Sequence, residues 1–367
     1  MEIYVHTPFC VKKCKYCDFV SFDKNFNMAG EYFSCVKKEL KGKAQRYAGE
    51  EITSIYFGGG TPTSVKTEYL IDTLSEIKRL FNVRPDAEIT VEANPGTFDK
   101  NTLITLKSGG FNRISVGVQS LIDRELKGLG RIHNSVKAIE CVKSCKEVFD
   151  NVSVDLMIGL EGQTEENVKS SLDGLLALNV DHISCYMLMV EEGTELEKLV
   201  NSGQYKPLTE DKTSVLYDFV NEYLKINGFL RYEISNFAKN GMISKHNMGY
   251  WQMQNYIGIG ISAHSLVGNR RFYNTSNLDE YLQNCDNELL EEELSKEEFE
   301  REYVMLALRT TNGVNLQDYQ DKFGFSFEEK YKTQIDKIKL CLKITESNIS
   351  ILEEYFSVSN AIMLKFI

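Results

Sequence analysis

Short runs of β-branched and aromatic residues recur through the first half of the chain, at Ile3–Phe9, Ser54–Phe57, Glu88–Glu92, Arg113–Val118, Val152–Ile158 and His182–Met189. Between them lie longer stretches with apolar residues three and four apart. Glu31–Arg46 is one; Glu68–Phe81, with Leu70, Leu74, Ile77 and Phe81 on one face, is another. Strand and helix in alternation predict parallel strands joined by right-handed crossovers. Six such units are too few for the closed eight-stranded barrel. They predict an α/β fold, a partial (βα)6 TIM-like barrel with its chemistry at the C-terminal ends of the strands.

After about residue 195 the pattern changes. A helix is predicted at Glu210–Asn227, followed by apolar or aromatic runs at Tyr232–Phe237, Tyr256–Leu266 and Arg271–Thr275. The acidic stretch Glu288–Phe299 reads as a solvated helix start or linker, because like charges in a block face water. A small, mainly helical domain follows, ending in short strands at Ile349–Leu352 and Ala361–Phe366. The chain thus divides into a core at 1–230, an extension at 231–290 and a C-terminal domain at 291–367.

Composition narrows the function. Against 53 acidic residues stand 42 Lys and Arg, a net charge of −11, which excludes a general nucleic-acid binder. The longest apolar stretches, such as Ile183–Val190, fall far short of the roughly 18 residues of a bilayer span, so no stable membrane anchor is expected. Glu2, His6 and Cys10 make the first residues unlike an export signal. The expected location is cytoplasmic, and the nine cysteines are expected there as ligands or buried thiols and not as disulfides.

Three of them carry the strongest chemical signal. Cys10, Cys14 and Cys17 form C-x-x-x-C-x-x-C on the loop after the first predicted strand. A zinc site usually takes four ligands, and no second matching pair lies nearby. Three thiolates suit a cubane iron–sulfur cluster that leaves one iron open to a small molecule. This spacing resembles the signature of the radical S-adenosylmethionine (SAM) superfamily. The resemblance implies a [4Fe-4S] cluster whose open iron holds SAM, and one electron from it that breaks a carbon–sulfur bond to give a 5′-deoxyadenosyl radical. It also implies SAM contacts from Tyr16, beside the third cysteine, and from Gly58, Gly59, Gly60 and Thr61 at the end of the second strand. A glycine run alone is equally a tight turn.

Glu92, Gln119 and Asp155 lie at or in the next three predicted strands, and Arg131 follows in GLGRIH. Each polar residue taken singly could be a satisfied structural hydrogen bond. In order, together with HTPFC, YFGGGTPT, VEANP and GVQS, they resemble the branch of oxygen-independent coproporphyrinogen III dehydrogenase. There Glu92, Gln119 and Asp155 would meet the SAM amino and ribose groups, Arg131 its carboxylate, and Tyr4 and Phe19 would belong to the same cofactor-binding set. Within that branch the dehydrogenase carries a fourth cysteine where this chain has Phe19, and a long arm before its first strand. Both departures are similar to the haem chaperones often called HemW, as is Lys245-His246-Asn247-Met248-Gly249-Tyr250-Trp251.

That resemblance implies haem as a further cofactor or cargo, and a haem-accepting partner such as a respiratory protein. His246 is one candidate axial ligand, with Tyr250 and Trp251 packing on the macrocycle; the alternative is that all three only brace a loop and core. His264 and His182 are expected to be structural, His6 to hydrogen-bond near the cluster loop, and His133 to orient Arg131. Cys141 and Cys145, four apart on a predicted helix, read as buried small residues. The alternative functions are radical decarboxylation of coproporphyrinogen III, against which Phe19 argues, and a radical SAM enzyme acting on another tetrapyrrole or an unknown substrate.

Overall fold

The computed structural model describes residues 1–47, 49–239 and 241–366. Six parallel strands form in the predicted order: β1 (Glu2–Thr7), β2 (Glu51–Gly59), β3 (Asn82–Ala93), β4 (Arg113–Gln119), β5 (Asn151–Ile158) and β6 (His182–Met187). Helices Ala29–Tyr47, Thr67–Leu80, Lys100–Ser108, Ser135–Val148 and Glu165–Leu176 make the crossovers, and Glu210–Ile226 follows β6. The two helices predicted from apolar spacing fall within two residues of their observed ends.

The sheet does not stop at six strands. β7 (Leu230–Arg231) and β8 (Asn236–Ala238) extend it antiparallel beyond β6. On the other side β9 (Tyr256–Ile259) pairs parallel with β1, and β10 (His264–Val267), β11 (Arg270–Asn274) and β12 (Glu288–Glu293) follow antiparallel. The single run expected at Tyr256–Leu266 is therefore two strands. Gly260 and Ser262, both at positive φ, turn the chain between them.

Because side chains alternate along a strand, each parallel strand has two unlike faces. Ile3, Val5, Ile55, Phe57, Ile89, Val91, Ile114, Val116, Val152 and Val154 join the crossover helices in the main apolar core. The alternate positions are polar and still buried: Glu2 and His6, Ser54, Glu88 and Thr90, Arg113 and Ser115, Ser153, His182 and Ser184. The apolar core thus sits between sheet and helices, while the concave side of the sheet is a polar interior. The helix Lys245–Trp251 closes that interior at one end. Glu88 accepts from the backbone N–H groups of Lys245 and His246 at the helix start (3.1 and 3.2 Å), a carboxylate on a helix N-terminus. A Cβ at Gly249 would stand 2.1 Å from Glu2 Oε1, so only glycine lets the helix seat on β1.

Three expectations are corrected. The acidic stretch is not a helix start or linker at its beginning: Glu288–Glu293 is the edge strand β12. Arg270 and Arg271 of β11 stand opposite Glu293 and Glu292, and such cross-strand pairs favour a strand over a solvated block. The helix Lys296–Ala307 begins only afterwards, on a Ser295/Glu298 capping box. Glu288 itself is buried and pairs with the buried Lys43, 2.9 Å away. Second, Cys35 and Cys285 are joined as a disulfide; the helix Ala29–Tyr47 lies against the turn after Leu278–Gln283, bringing their Cα atoms within 5.1 Å. Third, the strand expected at Ala361–Phe366 is the end of a helix, Ser359–Met363. The C-terminal region otherwise combines helices with a small sheet of β13 (Val314–Asn315), β14 (Leu342–Ile344) and β15 (Asn348–Ile351) in the order β13-β15-β14. No described helix is long and apolar enough to cross a membrane.

Candidate functional site

The cysteine loop leaves β1 and is pinned at several points. Cys10 N–H donates to Phe22 O (3.0 Å) and Phe22 N–H to Pro8 O (2.7 Å), closing the loop at its neck. Lys15 N–H donates to Leu129 O (3.1 Å), and Leu196 N–H to Lys15 O (2.7 Å). Cys10, Cys14 and Cys17 line one cavity of about 400 Å³. Among the described residues no three His, Cys, Asp or Glu side chains gather as they would around one metal ion; the donors offered are three thiols on a common wall. Burial pushes the Cys10 thiol up and the Cys17 thiol to about 11, so binding iron there releases protons. Arg131 Nη1 donates to Cys14 Sγ at 3.3 Å.

The strand ends supply the rest of this cavity. Glu92 accepts from Tyr56 Oη at 2.7 Å; burial, opposed by that bond and reinforced by nearby Asp155, lifts its carboxyl to about 7. Burial raises Asp155 to about 6, and Ser115 Oγ donates to it at 3.3 Å. Gln119 lines the cavity from a left-handed conformation, φ 70°, a strained state for a non-glycine residue that clusters at ligand sites. Arg131 Nη2 donates to Asn94 Oδ1 and Gly117 O, while its buried Nε has no partner. That unmet donor, beside three thiols, fits an anionic ligand group in the cavity. Tyr16 reaches the cavity over Leu129, Met157 and Leu160.

Not every expected contact lies here. Gly59, Gly60 and Thr61 line the cavity but Gly58 does not; a Cβ there would meet Tyr56 and Glu92 at 2.9 and 3.1 Å. Gly59, at φ +104°, leaves room for the His6 ring, which a Cβ would approach to 2.4 Å. Part of the glycine run is therefore a packing device for neighbouring side chains. Tyr4 lines a second cavity, while Phe19, whose ring is 59% exposed, borders both. Spacing did not single out Asn94, Tyr56, Arg113, Ser184 or Tyr186, which also line the first cavity; the alternation of polar residues along β2, β4 and β6 was the available signal.

The second cavity, about 580 Å³, lies beyond the same loop. Asp18, Phe19 and Val20 form one wall; Tyr4, Tyr250, Tyr256, Leu266 and Leu306 bring rings and aliphatic carbons from β1, the helix Lys245–Trp251, β9, β10 and the C-terminal region. His6 and His264 border it too. His6 is committed, with Nδ1 3.1 Å from Tyr4 Oη and Nε2 2.8 Å from Val20 O, as expected for a ring that braces the loop. His133 Nε2 donates to Val118 O (3.2 Å) and makes no bond to Arg131. His182 bonds Ser153 (2.6 Å) and Tyr232 (2.7 Å).

His246 lines neither cavity and has partners on both ring nitrogens. It is 1% exposed, its Nδ1 bonds Ser54 Oγ at 2.7 Å and its Nε2 bonds Tyr250 Oη at 3.0 Å. Its ring stacks on Tyr56 at 5.0 Å, and burial lowers its pKa to about 3. It is a neutral ring in the floor of the polar interior. Trp251 points away from both cavities, with Arg309 5.6 Å over its ring, whereas Tyr250 reaches the second cavity. Cys145 is buried and Cys141 partly so, as expected for packing residues.

Comparison with known proteins now decides the family. The radical SAM superfamily matches residues 4–175, and the HemN C-terminal domain matches 294–350. "Heme chaperone HemW" of Lactococcus lactis is 33% identical over 99% of this chain and 96% of its own. The chain belongs to the HemW family. The HemW of Bacillus subtilis is 34% identical over 89% of this chain and 87% of its own. The chain also shares its fold with coproporphyrinogen III oxidase (HemN) of Escherichia coli. That match has a TM-score of 0.86 and covers 100% of this chain and 89% of the other, at 20% identity; at that identity the likeness speaks for the fold alone.

Proposed function

We propose that this protein is a haem-binding chaperone that passes haem to an acceptor protein and carries a [4Fe-4S] cluster and SAM beside its cargo. The kinship with HemW over nearly the full length of both chains carries the reading. Cys10, Cys14 and Cys17 would hold the cluster. Glu92, Gln119, Arg131 and Asp155, with Tyr16, Gly59, Gly60 and Thr61, would hold SAM. When bound, cluster and SAM supply one-electron chemistry at a carbon–sulfur bond. The protein's own part is to position and enclose. Arg131 neutralises a carboxylate and the cluster's thiolates together, while Glu92, protonated or ionised near neutral pH, accepts from an amino group. Haem would lie in the second cavity, where aromatic rings offer flat apolar contact; Tyr250 and Tyr256 contribute to it, and His246 and Trp251 support the fold beneath.

The test is an anaerobic experiment on the reconstituted full chain. Haem is titrated in while the Soret band is followed, haem transfer to an apo-globin is timed, and coproporphyrinogen III with SAM and reductant is assayed for decarboxylation by mass spectrometry. Stoichiometric haem binding, transfer and no decarboxylated porphyrin are expected. A decarboxylated product, or no haem uptake by cluster-loaded protein, overturns the proposal.

A further inference from the structure

One of the two imidazoles bordering the second cavity has a ring nitrogen without a partner among the described residues. Of the five histidines, His6, His133, His182 and His246 are buried. His6, His182 and His246 have both ring nitrogens engaged, and His133 bonds Val118 O from inside the fold. His264 differs in exposure and place, and shares with His133 a ring nitrogen that has no partner among the described residues. Its side chain is 51% exposed, it borders the aromatic cavity, and its only hydrogen bond among the described residues is from Nδ1 to Glu291 Oε2, at 3.1 Å.

A carboxylate that accepts from Nδ1–H fixes the tautomer with the Nε2 lone pair bare, and raises the basicity of that nitrogen. This is the arrangement that metal-ligating histidines show around their second nitrogen. The sheet holds the pair in place. His264 lies on β10, Glu291 on the edge strand β12, and Tyr273 of β11, in register with His264, stacks its ring at 5.9 Å and 28° from parallel. The dyad borders a cavity walled by Tyr4, Tyr250 and Tyr256.

We infer that His264 Nε2 is an axial ligand to haem iron held in this cavity, with Glu291 as its orienting carboxylate. The inference rests on the haem-carrier reading above and assigns the ligand within it. His246, the histidine of the sequence motif, acts instead through the floor of the barrel.

The experiment uses the full, cluster-reconstituted chain and its His264→Ala and Glu291→Gln variants, titrated with haemin by absorbance, with resonance Raman and electron paramagnetic resonance on the complexes. Both side chains are exposed, so circular dichroism should show wild-type folding. His264→Ala should lose the iron–imidazole signature and bind haem at least about tenfold more weakly, and added imidazole should restore the spectrum. Glu291→Gln should keep imidazole ligation with affinity lowered by up to about tenfold. Wild-type spectra and affinity in His264→Ala would overturn this assignment while leaving the haem-carrier reading in place. Failure of the wild-type protein itself to take up haem would overturn both.

Discussion

Removing the His246 side chain separates a floor residue from an iron ligand. His246→Ala breaks hydrogen bonds to Ser54 and Tyr250, of 2.7 and 3.0 Å. Ser54 is fully buried, so its hydroxyl gains no free access to water in exchange, whereas Tyr250 borders the second cavity and recovers part of its loss. An orphaned buried partner costs about 1–3 kcal/mol. Loss of the imidazole stacked on Tyr56 leaves a void that adds about 1 kcal/mol or more. The sum is on the order of 3–5 kcal/mol, a large fraction of the stability of a typical domain. At roughly 2–4 °C per kcal/mol for a domain of this class, the melting temperature should fall by about 6–20 °C. Calorimetry or circular dichroism reads that shift, and a haemin titration on the folded variant at low temperature reads the affinity, expected within about twofold of wild type. His246→Gln, which can keep one of the two bonds, should recover part of the stability. An unshifted melting temperature together with collapsed haem affinity would refute the reasoning and return His246 to the iron.

Replacing Cys10, Cys14 or Cys17 with Ala should abolish cluster iron and its broad absorption near about 400 nm; iron analysis on anaerobic protein checks this. Arg131→Lys should retain iron but bind SAM about tenfold more weakly, since an ammonium cannot span the thiolate, the Asn94 amide and a carboxylate at once; isothermal titration reads it. Burial holds Glu2 protonated up to about pH 8 against an ordinary value of 4.5. The folded state thus keeps a proton that the unfolded chain releases, and this contribution to stability is complete below 4.5 and lost as pH rises through 8. Thermal melts of the apoprotein should therefore decline from about pH 4.5 to about pH 8 and level off above it, and Glu2→Gln should flatten the decline; parallel profiles for the two proteins would contradict the placement of Glu2.

The parts of the fold legible in sequence were those set by local period. Leu70, Leu74 and Ile77 share one helix face whatever surrounds them, and the six parallel strands announced themselves by β-branched runs. The cysteine loop and the polar strand ends were legible because barrel topology sends successive strand termini to one rim. Long-range pairing was not legible. The acidic Glu288–Glu293 becomes a strand only because Arg270 and Arg271 lie opposite it, and Cys35 meets Cys285 across 250 positions of sequence. The two readings of His246, ligand or brace, could not be told apart in the sequence for a related reason. Polar residues that fill a barrel interior and polar residues that meet a ligand look alike along the chain, and what separates them is the helix that covers the first set. The pairing of His264 was not legible either, because its partner, Glu291, sits two strands away, inside a stretch that reads as solvent-facing charge.

The polar interior also bears on how the chain can be divided. Residues 4–175, the span of the radical SAM match, do not contain their own floor: Ser54 and Glu88 find their partners on the helix Lys245–Trp251. A fragment ending near residue 230 would retain the cluster loop and the cofactor-contacting strand ends. It would also open a row of ionisable groups to water and free the β1 edge that β9 occupies, an invitation to pair with another chain. The catalytic-type core of this protein is therefore not a portable module, and its later segments are as much a condition of a folded barrel as the strands that carry the cofactor motifs.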